Sequence, residues 1–457
     1  MKIEFLKRED KNSRLILVMA GWSADAAIAR DISREGWDVA VVYDFSELSL
    51  DISFLDRYYT VYVFAWSLGV FAASRVLPAE RITAAFAING TLSPADDRCG
   101  IPLAIFKGTA DGLTARNLLK FRMRMTKGRE EWNRICGLFD TADDPEVIEN
   151  LRRQLYNVME SCTGDATFNP LPWTRAYVSS EDRIFPAANQ KEAWRRDPEV
   201  EIVETDGGHY ADISNIVNMV IADPRKVSEK FSKASGSYDT HAIAQYSAAI
   251  RLAARFMEMA PRKNGRLLEI GCGTGLFTRE YSREIRPESA TFVDITETGP
   301  FCISENESYF VEDAERWIEK NAEKWDMIVS ASCIQWFADI PRFLHQCHEH
   351  LTEGGIIAMS TFLPGNMEEL DKLRPSPLLY PRADQLKEWL SRDFEDVRVV
   401  EDCIRVEFKS AREVLMHLKH TGVGGSAPTG GLSMSSMSHL RSLTYRPVYI
   451  TGRRQRN

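Results

Sequence analysis

Short apolar segments rich in β-branched residues alternate with longer helical stretches, and this alternation constrains the fold more than any other feature of the sequence. Strands that alternate with helices favour a parallel sheet covered by helices on both faces. The segments fall into two series, so we predict two separate α/β sheets. The first series is residues 15–20, 39–43, 61–65, 82–88, 103–106, 175–178 and 200–203, and the second is 266–270, 291–294, 327–330, 356–360, 397–400 and 448–450.

The length of 457 residues suggests two or three folded units, because one domain usually takes about 100–200 residues. Residues 221–228, between the two series, are polar and contain Pro224, which suits a linker or a helix boundary. We therefore predict a first domain at residues 1–222 and a second at residues 229–457. Residues 115–165 carry few strand signals and many long side chains, which predicts a helical insertion that would act as a lid in a hydrolase.

The composition excludes several classes of protein. Hydrophobic residues make up 44% of the chain and charged residues 27%, which is ordinary for a globular protein and excludes wholesale disorder. No run of about 18 apolar residues occurs and the N-terminus is highly charged, so we expect no membrane segment, no signal peptide and a cytoplasmic location. A net charge of −9 disfavours nucleic acid as a partner.

The spacing of cysteines and histidines does not indicate a metal centre. The eight cysteines include no C-x-x-C pair, so we expect free thiols and neither disulfides nor zinc ligands. His345, His348 and His350 lie on one predicted helix and lack the H-E-x-x-H order. A solvated helix face explains these histidines better than a metal site, so we expect no metal cofactor.

A serine lies at the apex of a predicted tight turn in the first series. Residues 61–73 predict an apolar strand, a turn at Ser67 and a helix of small residues. A nucleophile elbow requires this context, although Ala65 replaces the first glycine of the usual G-x-S-x-G pattern. A serine nucleophile also needs a histidine base and an acid that orients the imidazole. Only two histidines precede residue 300, and His209 follows a predicted strand in a glycine-containing loop.

The acid and the oxyanion donors are predicted from their positions along the chain. Asp182 follows the penultimate strand of the first series, which gives the Ser…Asp…His order of α/β-hydrolases, and Asp111 is the alternative acid. The backbone N–H groups of Trp22 and Leu68 are the candidates for stabilising an oxyanion. The sequence thus predicts a catalytic triad, whereas the alternative is a helix-capping serine and an ordinary loop histidine.

A glycine-rich turn follows the first strand of the second series. Gly271, Gly273 and Gly275 stand between an apolar strand and a helix, and the acidic Glu269 precedes them. A G-x-G-x-G turn alone is a weak signal, because nucleotide sites and simple tight turns share it. A dinucleotide fold would place the third glycine one residue later, as in G-x-G-x-x-G.

Acidic residues after the next two strands favour one ligand for this turn. Asp294 ends the second strand, and Asp313 and Ala314 follow the third. This spacing predicts an S-adenosylmethionine site: the glycines admit the amino-acid part, Asp294 accepts the ribose hydroxyls, and the other two residues contact the adenine. Gln335 and Trp336 follow the fourth strand, where methyl acceptors usually enter, although Trp336 suits the core equally well.

The second half of the chain, from about Lys230 to the end, resembles the biotin-synthesis malonyl-acyl-carrier-protein O-methyltransferases. The resemblance implies a class I Rossmann-like methyltransferase fold, S-adenosylmethionine as methyl donor, and a substrate pocket formed by Tyr238, Gln335 and Trp336. The residues that carry the resemblance are 231, 238–239, 245, 268–275, 335–336 and 417–422, the last two segments being more specific than the glycine turn.

Residues 1–220 resemble a small α/β-hydrolase family of pimeloyl-acyl-carrier-protein methyl ester esterases. Together the two resemblances cover nearly the whole chain and imply a fused bifunctional enzyme. Residues 424–438, rich in Gly, Ser and Met, predict a mobile loop on the substrate side of the second half. The residues that carry the first resemblance are 20–22, 66–69, 89–91, 182–186 and 208–210.

The resemblances imply two opposite reactions on groups bound to an acyl carrier protein. The second half would methylate the free carboxylate of a malonyl thioester, and the first half would hydrolyse a pimeloyl methyl ester. The acidic carrier would dock on a basic cluster in the lid, for which a solvated helix face is the alternative. For the whole chain, the alternatives are a small-molecule methyltransferase fused to a generic carboxylesterase, or a carrier-docking scaffold with a decayed hydrolase half. The basic cluster is Lys120, Arg122, Arg124, Lys127 and Arg129.

Overall fold

The structure is a computed structural model that describes residues 1–139, 144–162, 169–260, 265–371, 373, 378–422 and 437–455. The chain divides into two compact units, Met1–Val217 and Asn218–Asn457. Among the described residues, none of the helices combines the length and hydropathy needed to cross a bilayer, and no group of three or more His, Cys, Asp or Glu side chains is placed to hold a metal ion. Most of the loop predicted at 424–438 lies outside the described residues.

The first unit contains a seven-stranded sheet with the order β1-β3-β2-β4-β5-β6-β7. Only β1 is antiparallel to its neighbour, and the other six strands are parallel. The parallel strands therefore end at one edge of the sheet, where ligands bind in α/β folds. The strands are β1 (Lys2–Lys7), β2 (Arg14–Met19), β3 (Trp37–Tyr43), β4 (Thr60–Trp66), β5 (Ala84–Ile88), β6 (Trp173–Ser179) and β7 (Glu201–Thr205).

Helices cover this sheet, and four of them lie between β5 and β6. The predicted strand at 103–106 is wrong, because these residues begin helix α2, which follows Pro102. A short apolar run does not distinguish a strand from a helix, and β5 pairs directly with β6 and leaves no place for a strand between them. The helices are α1 (Leu68–Val76), α2 (Leu103–Asp111), α3 (Ala115–Arg124), α4 (Arg129–Ile135), α5 (Pro145–Cys162), α6 (Ala187–Trp194) and α7 (Ile213–Val220).

The second unit contains a seven-stranded sheet with the order β10-β9-β8-β11-β12-β16-β13 and a separate pair, β14 and β15. Strands β8 to β12 are parallel, whereas β16 is antiparallel to both neighbours. The strands are β8 (Arg266–Ile270), β9 (Ser289–Asp294), β10 (Asn306–Val311), β11 (Trp325–Ala331), β12 (Leu351–Phe362), β13 (Phe394–Glu401), β14 (Ile404–Glu407), β15 (Ser442–Tyr445) and β16 (Pro447–Arg454).

Two hydrophobic clusters fill the two faces of this second sheet. Consecutive residues of one strand divide between them, as Leu267 and Leu268 do in β8, because side chains alternate along a strand. Of the two alternatives for residues 221–228, the structure shows a helix boundary, since Pro224 begins α8. The helices are α8 (Pro224–His241), α9 (Ile243–Met259), α10 (Leu276–Tyr281), α11 (Ala314–Lys320), α12 (Ile340–His350), α13 (Glu368–Asp371), α14 (Ala383–Ser391) and α15 (Ala411–Thr421).

Candidate active sites

The first site lies where β4 passes into α1. Ser67 occupies the turn with a φ of 58°, a left-handed conformation that strains a residue other than glycine. A strained turn of this kind holds the hydroxyl above the sheet edge, as in a nucleophile elbow, and here Ser67 is 5% exposed. Gly69 allows the turn to pack closely, since a Cβ added there would lie 2.2 Å from the Met19 carbonyl oxygen.

Three predicted residues meet at this turn. His209 Nε2 lies 2.8 Å from Ser67 Oγ, and His209 Nδ1 lies 2.9 Å from Asp182 Oδ2. The side chains of His209 and Asp182 are 1% and 0% exposed, so both contacts are shielded from water. Asp111, the alternative acid, is exposed on α2 and accepts a hydrogen bond from the Tyr156 hydroxyl instead. Of the two candidate acids, Asp182 is therefore the one placed to orient the imidazole.

The orientation of Asp182 is fixed by neighbours on its own loop and on α6. Its Oδ1 accepts hydrogen bonds from the backbone N–H groups of Ile184 and Phe185 at 2.9 and 2.8 Å. Its Oδ2, which faces the histidine, also accepts one from the buried Gln190 Nε2 at 3.0 Å. Gln190 was not predicted, because no sequence motif marks a residue eight positions after the acid.

The histidine loop is held through its main chain. The indole N–H of Trp66 and the amide Nδ2 of Asn89 both donate to the His209 carbonyl oxygen at 2.9 Å. Asn89 has a φ of 47° at the end of β5 and also accepts a hydrogen bond from the Ser179 backbone N–H at 2.8 Å. Asn89 belongs to a segment that carries the family resemblance, yet only the structure shows what its side chain holds.

The predicted oxyanion donors flank Ser67 on two sides. Leu68 is the first residue of α1, so its N–H has no acceptor within the helix. Trp22 lies in a turn closed by a 3.3 Å hydrogen bond from the Ala24 N–H to the Gly21 carbonyl oxygen. A Cβ added at Gly21 would lie 3.0 Å from Ser67 Cβ, which brings this turn against the serine. We call residues 21–24 the oxyanion turn.

The structure corrects the predicted basic cluster of the insertion. Arg122 is buried on the inner face of α3 and donates a 3.0 Å hydrogen bond to the Ser23 carbonyl oxygen, so it is not available to a docking partner. Lys127 forms ion pairs with Asp206 and Glu181. Helical spacing explains the error, because Leu118 and Arg122 share the buried face of α3. The exposed remainder of the cluster is Lys120, Arg124 and Arg129.

The second site begins at the glycine turn after β8. Gly271, Gly273 and Gly275 have φ values of 69°, 52° and 81°, a region that favours glycine. Asp294 at the end of β9 lies against this turn, since its Oδ2 accepts a 2.8 Å hydrogen bond from the Gly273 N–H. A Cβ added at Gly273 would meet no described atom within 4 Å, so the main chain there borders open space.

The other predicted cofactor residues fall into two groups. Asp313 caps α11 by accepting a 3.0 Å hydrogen bond from the Glu315 N–H, and Ala314 begins that helix. These two residues follow β10, beside Asp294, at the same edge of the sheet. Glu269 instead is buried and accepts hydrogen bonds from the Thr278 and Tyr281 hydroxyls of α10, and burial raises the pKa of Glu269 to about 8.

Two of the three residues predicted for the acceptor pocket lie beside one aromatic ring. The ring of Phe231 on α8 lies 6.1 Å from that of Tyr238 and 5.8 Å from that of Trp336, which brings α8 over the loop after β11. Burial raises the pKa of Tyr238. Gln335 is held by the main chain, because its Nε2 donates to the Ser332 carbonyl oxygen at 2.7 Å.

Two features of this second site were not predicted. His417 is buried against Tyr445, with 2.6 Å between its Nε2 and the tyrosine hydroxyl, and burial lowers the pKa of His417 to about 4. Gln245 on α9 is only 5% exposed, yet neither atom of its side-chain amide has a hydrogen-bond partner among the described residues. A buried amide without partners is costly, so Gln245 indicates a place for a polar ligand.

Gln245 lies between one residue that contacts the glycine turn and one that contacts the helix after it. Before it, Asp239 accepts hydrogen bonds from Thr274 and Arg279 at 2.5 and 2.6 Å. After it, Tyr246 donates to Glu280 of α10 at 3.1 Å. An α-amino acid carries a carboxylate and an ammonium group, which together satisfy both the donor and the acceptor of a primary amide. The turn, Asp294 and Gln245 therefore fit the amino-acid and ribose parts of S-adenosylmethionine.

Fold and sites together define a two-domain protein, with an α/β-hydrolase unit followed by a class I Rossmann-like methyltransferase unit. Residues 1–216 match the family model of pimeloyl-ACP methyl esterase BioG, and residues 238–415 match a methyltransferase domain model. The chain is 32% identical over 467 residues to a malonyl-[acyl-carrier protein] O-methyltransferase of Bacteroides fragilis, covering 96% of this chain and 93% of that protein. The chain belongs to this methyltransferase family, with a BioG-type domain at its N-terminus.

Two further comparisons concern the first half. An uncharacterized protein of Haemophilus influenzae is 36% identical over 211 residues, which covers 46% of this chain and 94% of that protein. The crystal structure of BioG from Haemophilus influenzae is 34% identical with a TM-score of 0.42, and the match covers 47% of this chain and 95% of that structure.

Proposed function

We propose that the protein is bifunctional. The second unit methylates the free carboxylate of malonyl-acyl-carrier protein with S-adenosylmethionine, and the first unit hydrolyses the methyl ester of pimeloyl-acyl-carrier protein. The hydrogen-bonded series from Ser67 through His209 to Asp182 carries the hydrolase half of the proposal. The family membership and the pairing of the glycine turn with Asp294 support the methyltransferase half.

In the hydrolase unit, His209 removes the Ser67 proton as the oxygen attacks the ester carbonyl carbon. Asp182 accepts a hydrogen bond from His209 Nδ1–H and stabilises the imidazolium that forms. The N–H groups of Trp22 and Leu68 stabilise the oxyanion, a contribution of about 10²–10³ in rate for each donor. His209 then gives its proton to the departing methanol. A water molecule, deprotonated by the same histidine, hydrolyses the acyl-enzyme and releases the free carboxylate.

In the methyltransferase unit, S-adenosylmethionine supplies a sulfonium methyl group when it is bound. The glycine turn and Gln245 would hold its amino-acid part, and Asp294 would hold its ribose. The acceptor carboxylate is already ionised at neutral pH, because carboxyl groups ordinarily have a pKa near 4, so the reaction needs no general base. Alignment and exclusion of water are therefore the main tasks of the pocket around Tyr238 and Trp336.

The two reactions add and later remove a methyl group that neutralises the distal carboxylate. Methylation neutralises the distal carboxylate, which would otherwise cost several kcal/mol to bury in the apolar pockets of chain-elongating enzymes. Hydrolysis restores the charge once the chain is complete. Because both activities share one polypeptide, the esterase must prefer the longer acyl chain, or the malonyl ester would be cycled without product. We assign this length preference to the helical insertion.

The exposed face of α3 is the proposed docking surface for the acidic carrier. Lys120 and Arg124 lie there one helical turn apart, and opposite charge speeds the encounter of protein partners. Reversing both charges to glutamate should lower kcat/KM for the carrier-bound ester about 10-fold and spare a small free ester. An equal loss on both substrates would contradict docking at α3.

Mass spectrometry of carrier-bound substrates tests the whole proposal. With S-adenosylmethionine, malonyl-carrier should gain one methyl group; without it, pimeloyl-carrier methyl ester should lose one. Methylation of free acids but not of carrier-bound ones would favour the small-molecule methyltransferase alternative. Ester hydrolysis that persists in Ser67→Ala would reject the nucleophile, and absence of hydrolysis in the unaltered protein would favour the scaffold alternative.

A further inference from the structure

The C-terminal half of α3 contacts the oxyanion turn through a buried cation. The Arg122 guanidinium donates hydrogen bonds to the Ser23 carbonyl oxygen at 3.0 Å and to Ser23 Oγ at 3.4 Å, and it lies 5.1 Å from the Phe139 ring centroid. Arg122 is 6% exposed. Burying a guanidinium is costly unless hydrogen bonds replace its water, so these contacts define where Arg122 must sit.

Ser23 needs an external contact, because its own conformation is unfavourable. Its φ is 65°, at the position of a four-residue turn where glycine is the usual residue. A non-glycine residue keeps this left-handed conformation only when its surroundings fix it. The Arg122 hydrogen bond to the Ser23 carbonyl oxygen is such a contact, and Ser23 directly follows Trp22, whose N–H is the proposed oxyanion donor.

A second helix of the insertion holds the same turn. The indole N–H of Trp22 donates to the Leu151 carbonyl oxygen of α5 at 2.9 Å, and the indole ring packs edge-on against Phe121 of α3 at 5.0 Å. The side chain of Trp22 and the carbonyl group of Ser23 are therefore both anchored in the insertion. The Trp22 N–H, which is the proposed oxyanion donor, belongs to the peptide unit directly before these two anchors.

We propose that Arg122 is a positioning residue of the hydrolase unit. By hydrogen bonding to Ser23 it fixes the oxyanion turn, so that ester hydrolysis depends on how α3 packs against this turn. This inference rests on the proposed serine hydrolysis. The hydrogen bonds described for Arg122 go to Ser23, so we assign it a role through the oxyanion turn and not a direct part in the reaction. Its loss lets the Trp22 N–H move away from the oxyanion while Ser67, His209 and Asp182 keep their mutual contacts. The inner face of α3 thereby serves catalysis, while its outer face serves carrier docking.

The test compares Arg122→Met, which keeps packing against Phe139 but removes the donors, with Arg122→Lys, which keeps one cationic donor. Arg116→Met, an exposed arginine on the same helix, is the matched control. Rates are measured on the carrier-bound ester and on a small p-nitrophenyl ester. They are normalised to the sites that a fluorophosphonate labels, so that unfolded protein does not count.

We expect Arg122→Met to lower kcat roughly 10–100-fold on both esters with KM changed less than about 3-fold, because misplacing a donor by about 1 Å can cost 10²-fold. Arg122→Lys should recover part of kcat. Arg116→Met should match the unaltered protein on the small ester, and only this ester is used for the control, because Arg116 lies on the exposed face of α3 that is proposed to dock the carrier. If too few sites of Arg122→Met are labelled, Trp22→Phe takes its place. It removes the hydrogen bond to Leu151 and part of the ring that packs against Phe121, and it should also lower kcat.

The outcomes separate this inference from the proposed function. If Arg122→Met leaves kcat unchanged, or changes KM alone, the positioning role is overturned. Serine catalysis still holds in that case, provided that the unaltered protein hydrolyses the ester and Ser67→Ala does not. Hydrolysis that survives in Ser67→Ala, together with no labelling by the fluorophosphonate, would instead reject serine catalysis and this inference with it.

Discussion

The two sheet edges of this molecule carry opposite kinds of site. At the first, the side chains bond one another: Ser67 to His209, His209 to Asp182, and Asp182 to Gln190. At the second, the main chain of the glycine turn borders open space and the amide of Gln245 has no partner among the described residues. The side chains of the first site satisfy one another, whereas the second site leaves open space and a buried amide without a described partner.

The proposed chemistry explains the difference. A neutral serine hydroxyl must lose a proton as it attacks, so base and acid have to be aligned before the substrate arrives. A carboxylate acceptor is already charged and needs only to be aligned with the methyl donor, so the second site holds binding groups in place of a proton relay. Substitutions at the first site should therefore act on kcat, and substitutions at the second should act on ligand affinity.

The largest effect is expected for Asp182→Asn. An asparagine amide would donate to His209 Nδ1 and so favour the tautomer that cannot accept the Ser67 proton. We expect kcat for ester hydrolysis to fall by roughly 10³–10⁴ with KM and methylation unchanged. The measurement is methanol release from the carrier-bound ester. Asp111→Asn, at the exposed alternative acid, is the control, and a loss smaller than tenfold in Asp182→Asn would show that another group orients the imidazole.

The next effect in size is expected for Asp294→Ala. The change removes a carboxylate that bonds the Gly273 N–H and is proposed to accept the ribose hydroxyls. Hydrogen bonds to charged groups contribute about 1.5–3 kcal/mol, so S-adenosylhomocysteine should bind roughly 10–100-fold more weakly. Titration calorimetry measures this affinity directly. Unchanged affinity would remove Asp294 from the cofactor site, and ester hydrolysis by the same variant serves as the control for the first unit.

A smaller effect is expected for Gln245→Met, which replaces the buried amide by an apolar chain of similar length. If Gln245 binds the amino-acid end, S-adenosylhomocysteine should bind about 10-fold more weakly. Methylthioadenosine, which lacks that end, should bind with unchanged affinity. Gln346→Met changes another buried glutamine, on α12 beside the opposite face of the sheet, and should affect neither ligand. Equal losses of affinity for both ligands would contradict the proposal that Gln245 binds the amino-acid end.

Burial decided how much of the fold could be predicted from sequence. Strands covered on both faces read as continuous apolar runs, and the prediction of two α/β sheets is confirmed. β1 was not predicted, and β10 was inferred only as a third strand before Asp313, because both are edge strands with half-exposed, partly charged sequences. The run at 103–106 misled for the opposite reason, since an apolar stretch of four residues fits the first turn of a helix equally well.

Site residues could be predicted where they belong to a continuous sequence motif, and not where residues distant in sequence meet in the fold. Ser67 and the glycine turn stand in continuous motifs, so their neighbours in sequence indicate their chemistry. Arg122 is 99 residues from Ser23, and its hydrogen bond to the oxyanion turn exists only because the insertion folds back over the sheet edge. Sequence alone therefore placed Arg122 among the exposed lid cations, and the burial of one helix face corrected it.

The smallest effect is expected for Glu269→Gln, and it concerns stability. Burial raises the pKa of Glu269 to about 8, above its usual value near 4.5, so the folded state holds a proton that the unfolded state has lost between these values. The contribution of Glu269 to stability is therefore full below about pH 4.5 and declines as the pH rises towards 8. Each unit of pKa difference corresponds to about 1.4 kcal/mol of stability, which is an upper bound here because structural relaxation reduces it.

Glutamine resembles the protonated acid and cannot ionise. The stability of Glu269→Gln relative to the unaltered protein should therefore rise by on the order of 1–3 kcal/mol between pH 5 and pH 9. Denaturant titrations at both pH values measure this, using the transition that S-adenosylhomocysteine shifts to identify the second unit. Glu288→Gln, at an exposed glutamate, should show no such trend. If the difference in unfolding free energy between Glu269→Gln and the unaltered protein does not change with pH, Glu269 is ionised throughout this range. The hydroxyls of Thr278 and Tyr281 would then stabilise the anion.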